Sequence, residues 1–352
     1  MDSENVTRLR LDQARPAKYA RSFEMPDGSI SVMGIFKVSD EGRTVKVCTD
    51  AGHSIGLTSL VESRMNTFFS REGLFLALNN KVVPAAEAGT YVGTIWRSVD
   101  DLTSVQQEKT TVIVPEAGKV DFGEPGEWSG LIFHRAIVEL SDGSLLAAMY
   151  GNFEADTTAP TNPHSKRETK FKPRAFTVRS EDAGRTWRYL ASVAVPDPAV
   201  TDDTEGFNEW TIARLADGRL LGVIRTGHFT PLVASWSSDE GKTWTSPMTP
   251  PELGPGGCDP YLIKLADERL ALAYGEMVQP PADREKYFQE YETRWDKRRR
   301  CRLAISTDKT GENWRTLDLC DYDDRSAYPS IFEVAPNVLL YQSDLDLWRV
   351  EV

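Results

Sequence analysis

The eight residues Ser180-Glu181-Asp182-Ala183-Gly184-Arg185-Thr186-Trp187 (SEDAGRTW) return almost unchanged at residues 237–244 as SSDEGKTW. Both fit S-x-D-x-G-x-T-W. A third copy, STDKTGENW from Ser306 to Trp314, carries one inserted residue and Asn in place of Thr. The residue types describe a β-turn. Ser and Asp side chains bond turn amides, Gly permits a positive φ, and Trp plugs the turn into an adjacent apolar layer. Such a box stabilises a hairpin without touching any substrate. Its recurrence is what matters, because self-similarity along a chain signals a repeat architecture.

Between and around the boxes lies a second repeat, a strand–turn–strand. Four copies are clear: HRAIVELSDGSLLAAMYG (134–151), NEWTIARLADGRLLGVIRTG (208–227), DPYLIKLADERLALAYGE (259–276) and AYPSIFEVAPNVLLYQSD (327–344). Two weaker copies are RSFEMPDGSISVMGIF (21–36) and RMNTFFSREGLFLALNN (64–80). A hairpin, a third strand, a box turn and a last strand make one four-stranded sheet. Six such sheets in a ring make an all-β, six-bladed β-propeller, which hides its edges by radial repetition. The last copy is followed by only one short strand, LDLWRVEV. The N-terminal segment is therefore expected to complete the final blade, with residues 1–352 forming a single domain. Residues 279–300 (QPPADREKYFQEYETRWDKRRR) have helix-forming composition and dense charge, and read as a short helical insertion near 281–300.

The chain has 352 residues, 40% hydrophobic and 27% charged, with 41 Lys and Arg against 53 Asp and Glu, a formal net charge of −12. That field repels nucleic acid and anionic membranes, so an acidic ligand needs a local basic cluster. No apolar run approaches the ~20 residues of a membrane span. The N-terminus is polar and lacks the apolar core of a signal peptide, so the chain reads as soluble with its compartment open. Cys48, Cys258, Cys301 and Cys320 form no C-x-x-C pair and no Cys/His ligand spacing, which argues against structural zinc. No metal or cofactor is expected, and oligomeric state is left open.

In the hairpin at 208–227, the triplet Ala216-Asp217-Gly218 suits a three-residue loop with Gly218 at the positive-φ position. Leu215 then faces Arg219, and counting outward Glu209 faces Arg225. An apolar hairpin thus carries a carboxylate and a guanidinium at its open end. In a propeller the innermost strands surround the axis, so polar residues at their ends share one basin. Those ends offer Arg135, Glu209, Arg225, Asp259 and Tyr328, and the tract Arg298-Arg299-Arg300-Cys301-Arg302 leads into the third box.

With its boxes and its ordered Arg…Glu…Arg…Tyr series over roughly residues 130–345, the chain resembles the bacterial sialidase (neuraminidase) superfamily of six-bladed propellers. The resemblance implies an exo-glycosidase that removes a terminal acidic sugar from a glycan. Three arginines would grip the sugar carboxylate: Arg135, Arg225 and, by its distance before Ser306, Arg298, with Arg300 and Arg302 as alternatives. Tyr328 matches the nucleophile and Glu209 its activating base. This is chemically coherent, because a phenol of pKa about 10 needs a base at neutral pH. It also avoids setting a carboxylate nucleophile against a carboxylate substrate. The mechanism implied is retaining, through a glycosyl–tyrosine intermediate.

The sequence departs from that pattern where the family's acid/base aspartate is expected. The loop NFEADTTAPTNPHSKRETKFKPRAF (152–176) carries Lys170, Phe171 and Lys172 ahead of the strand, and Asp156 is the nearest substitute. His134 precedes Arg135, and Arg-Ala replaces the usual Arg-Ile-Pro. His134, Asp259 and Arg302 are further candidates. Glu209 and Arg225 also read as a structural cross-strand pair. Other activities fit the fold: a uronic-acid lyase with Tyr328 or His134 abstracting a proton, a neutral-sugar glycosidase, or a non-catalytic glycan-binding propeller.

Overall fold

The computed structural model describes residues 6–9, 21–24, 30–33, 45–48, 56–58, 65–70, 73–99, 106–118, 130–159, 171–199, 204–227, 230–254, 257–277, 299–319, 329–343 and 347–352. Among these there is no helix, and none is therefore long and apolar enough to cross a membrane. The strands group into six antiparallel blades. Blade 1 is Arg21–Glu24, Ile30–Met33, Val45–Cys48 and Gly56–Thr58. Blade 2 is Met65–Phe69, Phe75–Asn79, Thr90–Ser98 and Gln106–Ile113, with the short Val83–Pro84 strand on Thr90–Ser98. Blade 3 is Ile132–Glu139, Leu145–Gly151, Arg174–Ser180 and Thr186–Ala194. Blade 4 is Trp210–Arg214, Leu220–Ile224 and Val233–Ser237. Blade 5 is Gly257–Lys264, Leu270–Met277, Arg299–Ser306 and Trp314–Asp318. Blade 6 is Ser330–Ala335, Val338–Gln342 and Leu347–Glu351, with Val6–Leu9 paired outside the last.

Each of the six strand–turn–strand repeats forms the two inner strands of one blade. The innermost strands contact one another in a closed ring, blade 1 through blade 6 and back to blade 1. The fold is a six-bladed β-propeller. The last turns of the tract expected to be helical, Arg299 and Arg300, instead begin the third strand of blade 5, paired with Met277 and Glu276. Their strand partners and the apolar run that follows override the helix-forming composition. Residues 279–298 of that expected insertion lie outside the described residues.

Among the described residues blade 4 has three strands, with a bridge between Ala234 and Met248 in the place of a fourth. The sequence after its box, TSPMTPPELG, places prolines at 247, 250 and 251, and proline has no N–H to extend a ladder. Blades 2 and 3 are joined differently from the rest. Their outer strands pair in parallel over Thr111–Ile113 and Thr186–Arg188, merging two blades into one continuous sheet.

The core lies between blades. One layer packs Leu76 and Ile95 of blade 2 on Phe176 and Trp187 of blade 3. The next sets Leu146 against Trp210 and Leu220, and further layers join blade 4 to 5 and 5 to 6. The boxes lock these layers. Ser180 Oγ accepts the Gly184 N–H at 2.8 Å and Asp182 Oδ1 accepts the Thr186 N–H at 2.8 Å. Ser237 and Asp239 repeat this at 2.9 and 2.8 Å. Each box glycine has positive φ and presses on the preceding blade: Gly184 near Ile95, Gly241 near Leu146, Gly311 near Leu221. Gly311→Ala should therefore lose stability twice, through its left-handed φ of +74° and through collision with Leu221. Gly143, φ +80°, has nothing within 4 Å of an added Cβ and serves as control. Urea unfolding should give about 1–2 kcal/mol for Gly143→Ala and about 1–3 kcal/mol more for Gly311→Ala. Equal losses would refute the interblade contact.

Candidate functional site

The inner strands of blades 2 to 6 start close together, and there the polar candidates meet. The hairpin register read from the sequence is the one observed. Gly218 N donates to Leu215 O (3.2 Å), Leu215 N to Arg219 O (2.8 Å) and Arg225 N to Glu209 O (3.0 Å). Gly218 has φ +89°. Beyond the paired strands, Glu205 N donates to Thr226 O (2.7 Å), which folds Glu205 back beside Glu209.

Arg225 lies between these two carboxylates. Its Nη1 donates to Glu209 Oε2 (2.7 Å) and its Nη2 to Glu205 Oε2 (3.1 Å). Glu209 Oε2 also accepts the main-chain N–H of Asp259 at 2.8 Å. Two donors thus hold one oxygen, while Oε1 takes no hydrogen bond from any described residue. Glu209 also keeps the largest side-chain exposure of the cluster, 14% against 0–9% for the others.

Arg135 and Asp259 form the floor. Both sit at bulges in inner strands, of blades 3 and 5, and both have left-handed backbones, φ +53° and +56°. Their side chains are fully buried and joined bidentately, Nε to Oδ1 and Nη2 to Oδ2. Arg135 Nη1 donates to the carbonyl of Pro329, at the start of blade 6. Its main-chain N–H reaches Asn66 Oδ1 of blade 2 at 2.7 Å. One residue therefore ties together four blades.

His134 completes the group. Its Nδ1 lies 2.9 Å from both the main-chain nitrogen and the carbonyl oxygen of Trp210, and its Nε2 lies 2.9 Å from Asp259 Oδ1. Burial pushes the Asp259 carboxyl upward, but Arg135 and then His134 more than offset this and hold it below the ordinary carboxylate range.

A family model of the BNR repeat-like domain matches residues 59–338, well over half of the chain. The chain belongs to the BNR repeat-like family. Against solved structures, this BNR repeat-like chain is similar to a protein of unknown function from Dyadobacter fermentans DSM 18053, at 17% identity, TM-score 0.64 and 99% of each chain covered. It is similar to a Hadza microbial sialidase at 15% identity and TM-score 0.62, covering 97% of this chain and 66% of that one. It is also similar to the α-L-arabinanase of Penicillium chrysogenum at 12% identity and TM-score 0.59, covering 98% of both. At these identities the likeness is one of fold. Among curated proteins the sequence finds no match.

The BNR repeat-like scaffold brings together His134, Arg135, Glu209, Arg225 and Asp259 from three blades. It gives two expected residues other surroundings. Asp156 accepts the Phe153 N–H at 2.7 Å and pairs with Arg174, whose guanidinium stacks 4.3 Å from the Phe153 ring. Its carboxylate closes its own turn and neutralises a cation. None of these partners belongs to the axial cluster, so an acid/base role for Asp156 has no geometric support. Arg302 pairs with Glu276 and Asp318 at 3.2 and 2.9 Å, and Arg300 bonds the same two carboxylates. Tyr328 and Arg298 lie outside the described residues. Glu205 and Asn66 were missed by sequence reading. The acidic stretch TDDTEGFNEW offered a signal for Glu205, and Asn66 offered none, because its role depends on a partner 69 residues away.

Proposed function

We propose that this chain is a glycoside hydrolase acting on a neutral glycan, with Glu209 as the carboxylate that moves the proton. The observation that carries the reading is the asymmetry of Glu209. Arg225 and the Asp259 N–H fix Oε2, and Oε1 is left to meet a glycosidic oxygen or an attacking water. Charge supports a neutral substrate. Arg135 is already engaged by Asp259, and Arg225 by Glu205 and Glu209. Guanidinium groups neutralised in this way offer less to a substrate carboxylate, and the Glu209 carboxylate favours the positive charge that develops in an oxocarbenium-like transition state. Each arginine expected to grip a carboxylate, among those described, is already ion-paired within the protein. The fold likeness to an arabinanase complexed with arabinobiose is consistent with a neutral sugar.

A second reading is removal of a sialic-acid-like residue by Tyr328, with Glu209 as its base. What favours it is that the chain neighbour of Tyr328, Pro329, gives its carbonyl to Arg135. Incubation with aryl α-L-arabinofuranosides, aryl sialosides and uronic-acid oligosaccharides separates the readings. Release of aglycone from the neutral glycosides is expected. Turnover of sialosides alone would support the second reading, an unsaturated ultraviolet-absorbing product a lyase, and no product from any substrate would overturn hydrolysis.

A further inference from the structure

The left-handed backbone at Asp259 suggests a purpose for its buried ion pair. Asp259 is not exposed and approaches no open space, and its side chain is wholly occupied by Arg135 and His134. Its main-chain N–H, however, points across the blade 4–blade 5 boundary to Glu209 Oε2, 2.8 Å away. A peptide in an extended strand would spend that N–H on ladder pairing or aim it elsewhere. The bulge between Cys258 and Tyr261 releases it, and φ of +56° turns it toward Glu209.

We propose that Asp259 is a positioning residue for Glu209: its carboxylate, clamped by Arg135 and His134, holds a strained main chain whose N–H fixes one oxygen of the Glu209 carboxylate. The inference rests on Glu209 being the reactive carboxylate, and it adds the device that orients it. Arg135 acts one step further back. Its own left-handed backbone is stabilised by Asn66 Oδ1, and its guanidinium fastens Asp259 from the neighbouring side of the axis. The cluster is therefore layered: Asn66 supports Arg135, Arg135 and His134 hold Asp259, and the Asp259 peptide with Arg225 holds Glu209. A left-handed backbone suits Asp, Asn or Gly and disfavours longer side chains.

The test uses a signal that does not depend on turnover. Protein labelled with [13Cδ]glutamate is titrated by NMR, and the Glu209 resonance is identified by its loss in Glu209→Gln. Asp259→Glu keeps the charge but disfavours the left-handed backbone. It should raise the Glu209 titration midpoint, because a carboxylate that loses a donated hydrogen bond holds its proton more tightly. An unchanged midpoint in folded Asp259→Glu would overturn the proposal. If that variant does not fold, Arg135→Lys takes its place, with the same upward shift expected and the same unchanged midpoint decisive. Hydrolysis failing while the midpoint shifts would refute the Glu209 reaction and leave the positioning contact standing.

Discussion

Asp259→Asn is expected to lower the unfolding free energy by about 3–5 kcal/mol at neutral pH, the cost of breaking a buried ion pair from one side. The buried guanidinium of Arg135 has two of its donors on this carboxylate, and an amide replaces one acceptor with a second donor. His134 Nε2 loses part of the same acceptor. The pH dependence has a definite sign. The folded carboxyl is held below its ordinary value, so the unfolded chain takes up a proton first as pH falls. The contribution is therefore complete above the ordinary carboxylate pKa of about 4 and declines as pH drops below it. Urea titrations of both proteins should differ at neutral pH and converge in more acidic solution. A loss under about 1 kcal/mol, the size seen for an exposed pair, would mean that the two side chains are not joined in the interior.

Glu209→Gln should reduce kcat about 10²- to 10⁴-fold on whichever aryl glycoside the wild type hydrolyses, the range for removing a general acid or base. Glutamine keeps an oxygen for Arg225 and for the Asp259 N–H, so the thermal midpoint should move little. What it cannot do is exchange a proton from the position of Oε1. KM is expected to stay within a few-fold, since the lost interaction belongs to the transition state. More than half of the wild-type kcat would remove Glu209 from the chemistry, and a folded protein with lost turnover would rule out a purely structural role for the Glu209–Arg225 pair.

The fold was legible because it is repeated. Six hairpins, each with its own turn residues, gave the inner strands of all six blades, and Gly218 alone fixed the register that sets Glu209 beside Arg225. Local rules reach only as far as local pairs. The ion pair of Arg135 with Asp259 spans 124 residues, and both owe their aim to bulges that no alternation of apolar residues reveals. Asp156 shows the converse limit. A lone carboxylate in a loop looks available until Arg174, 18 residues on, comes to cover it. The helical composition before Arg300 likewise carried no information about the strand waiting at Glu276.

The parallel pairing of the outer strands of blades 2 and 3 bears on how the ring can flex. There the chain is continuous in the hydrogen-bonded sense from the axis of one blade to the axis of the next, with Thr111 N–H donated to Arg185 O across the join. Between the other blades, the described contacts are packed side chains and scattered polar links. A small rotation of one blade against its neighbour can be accommodated by sliding leucines, but not by a ladder without breaking it. Any rotation of blade 2 against blade 3 therefore has to break that ladder, whereas rotation at the other seams has only side-chain packing and single polar contacts to disturb.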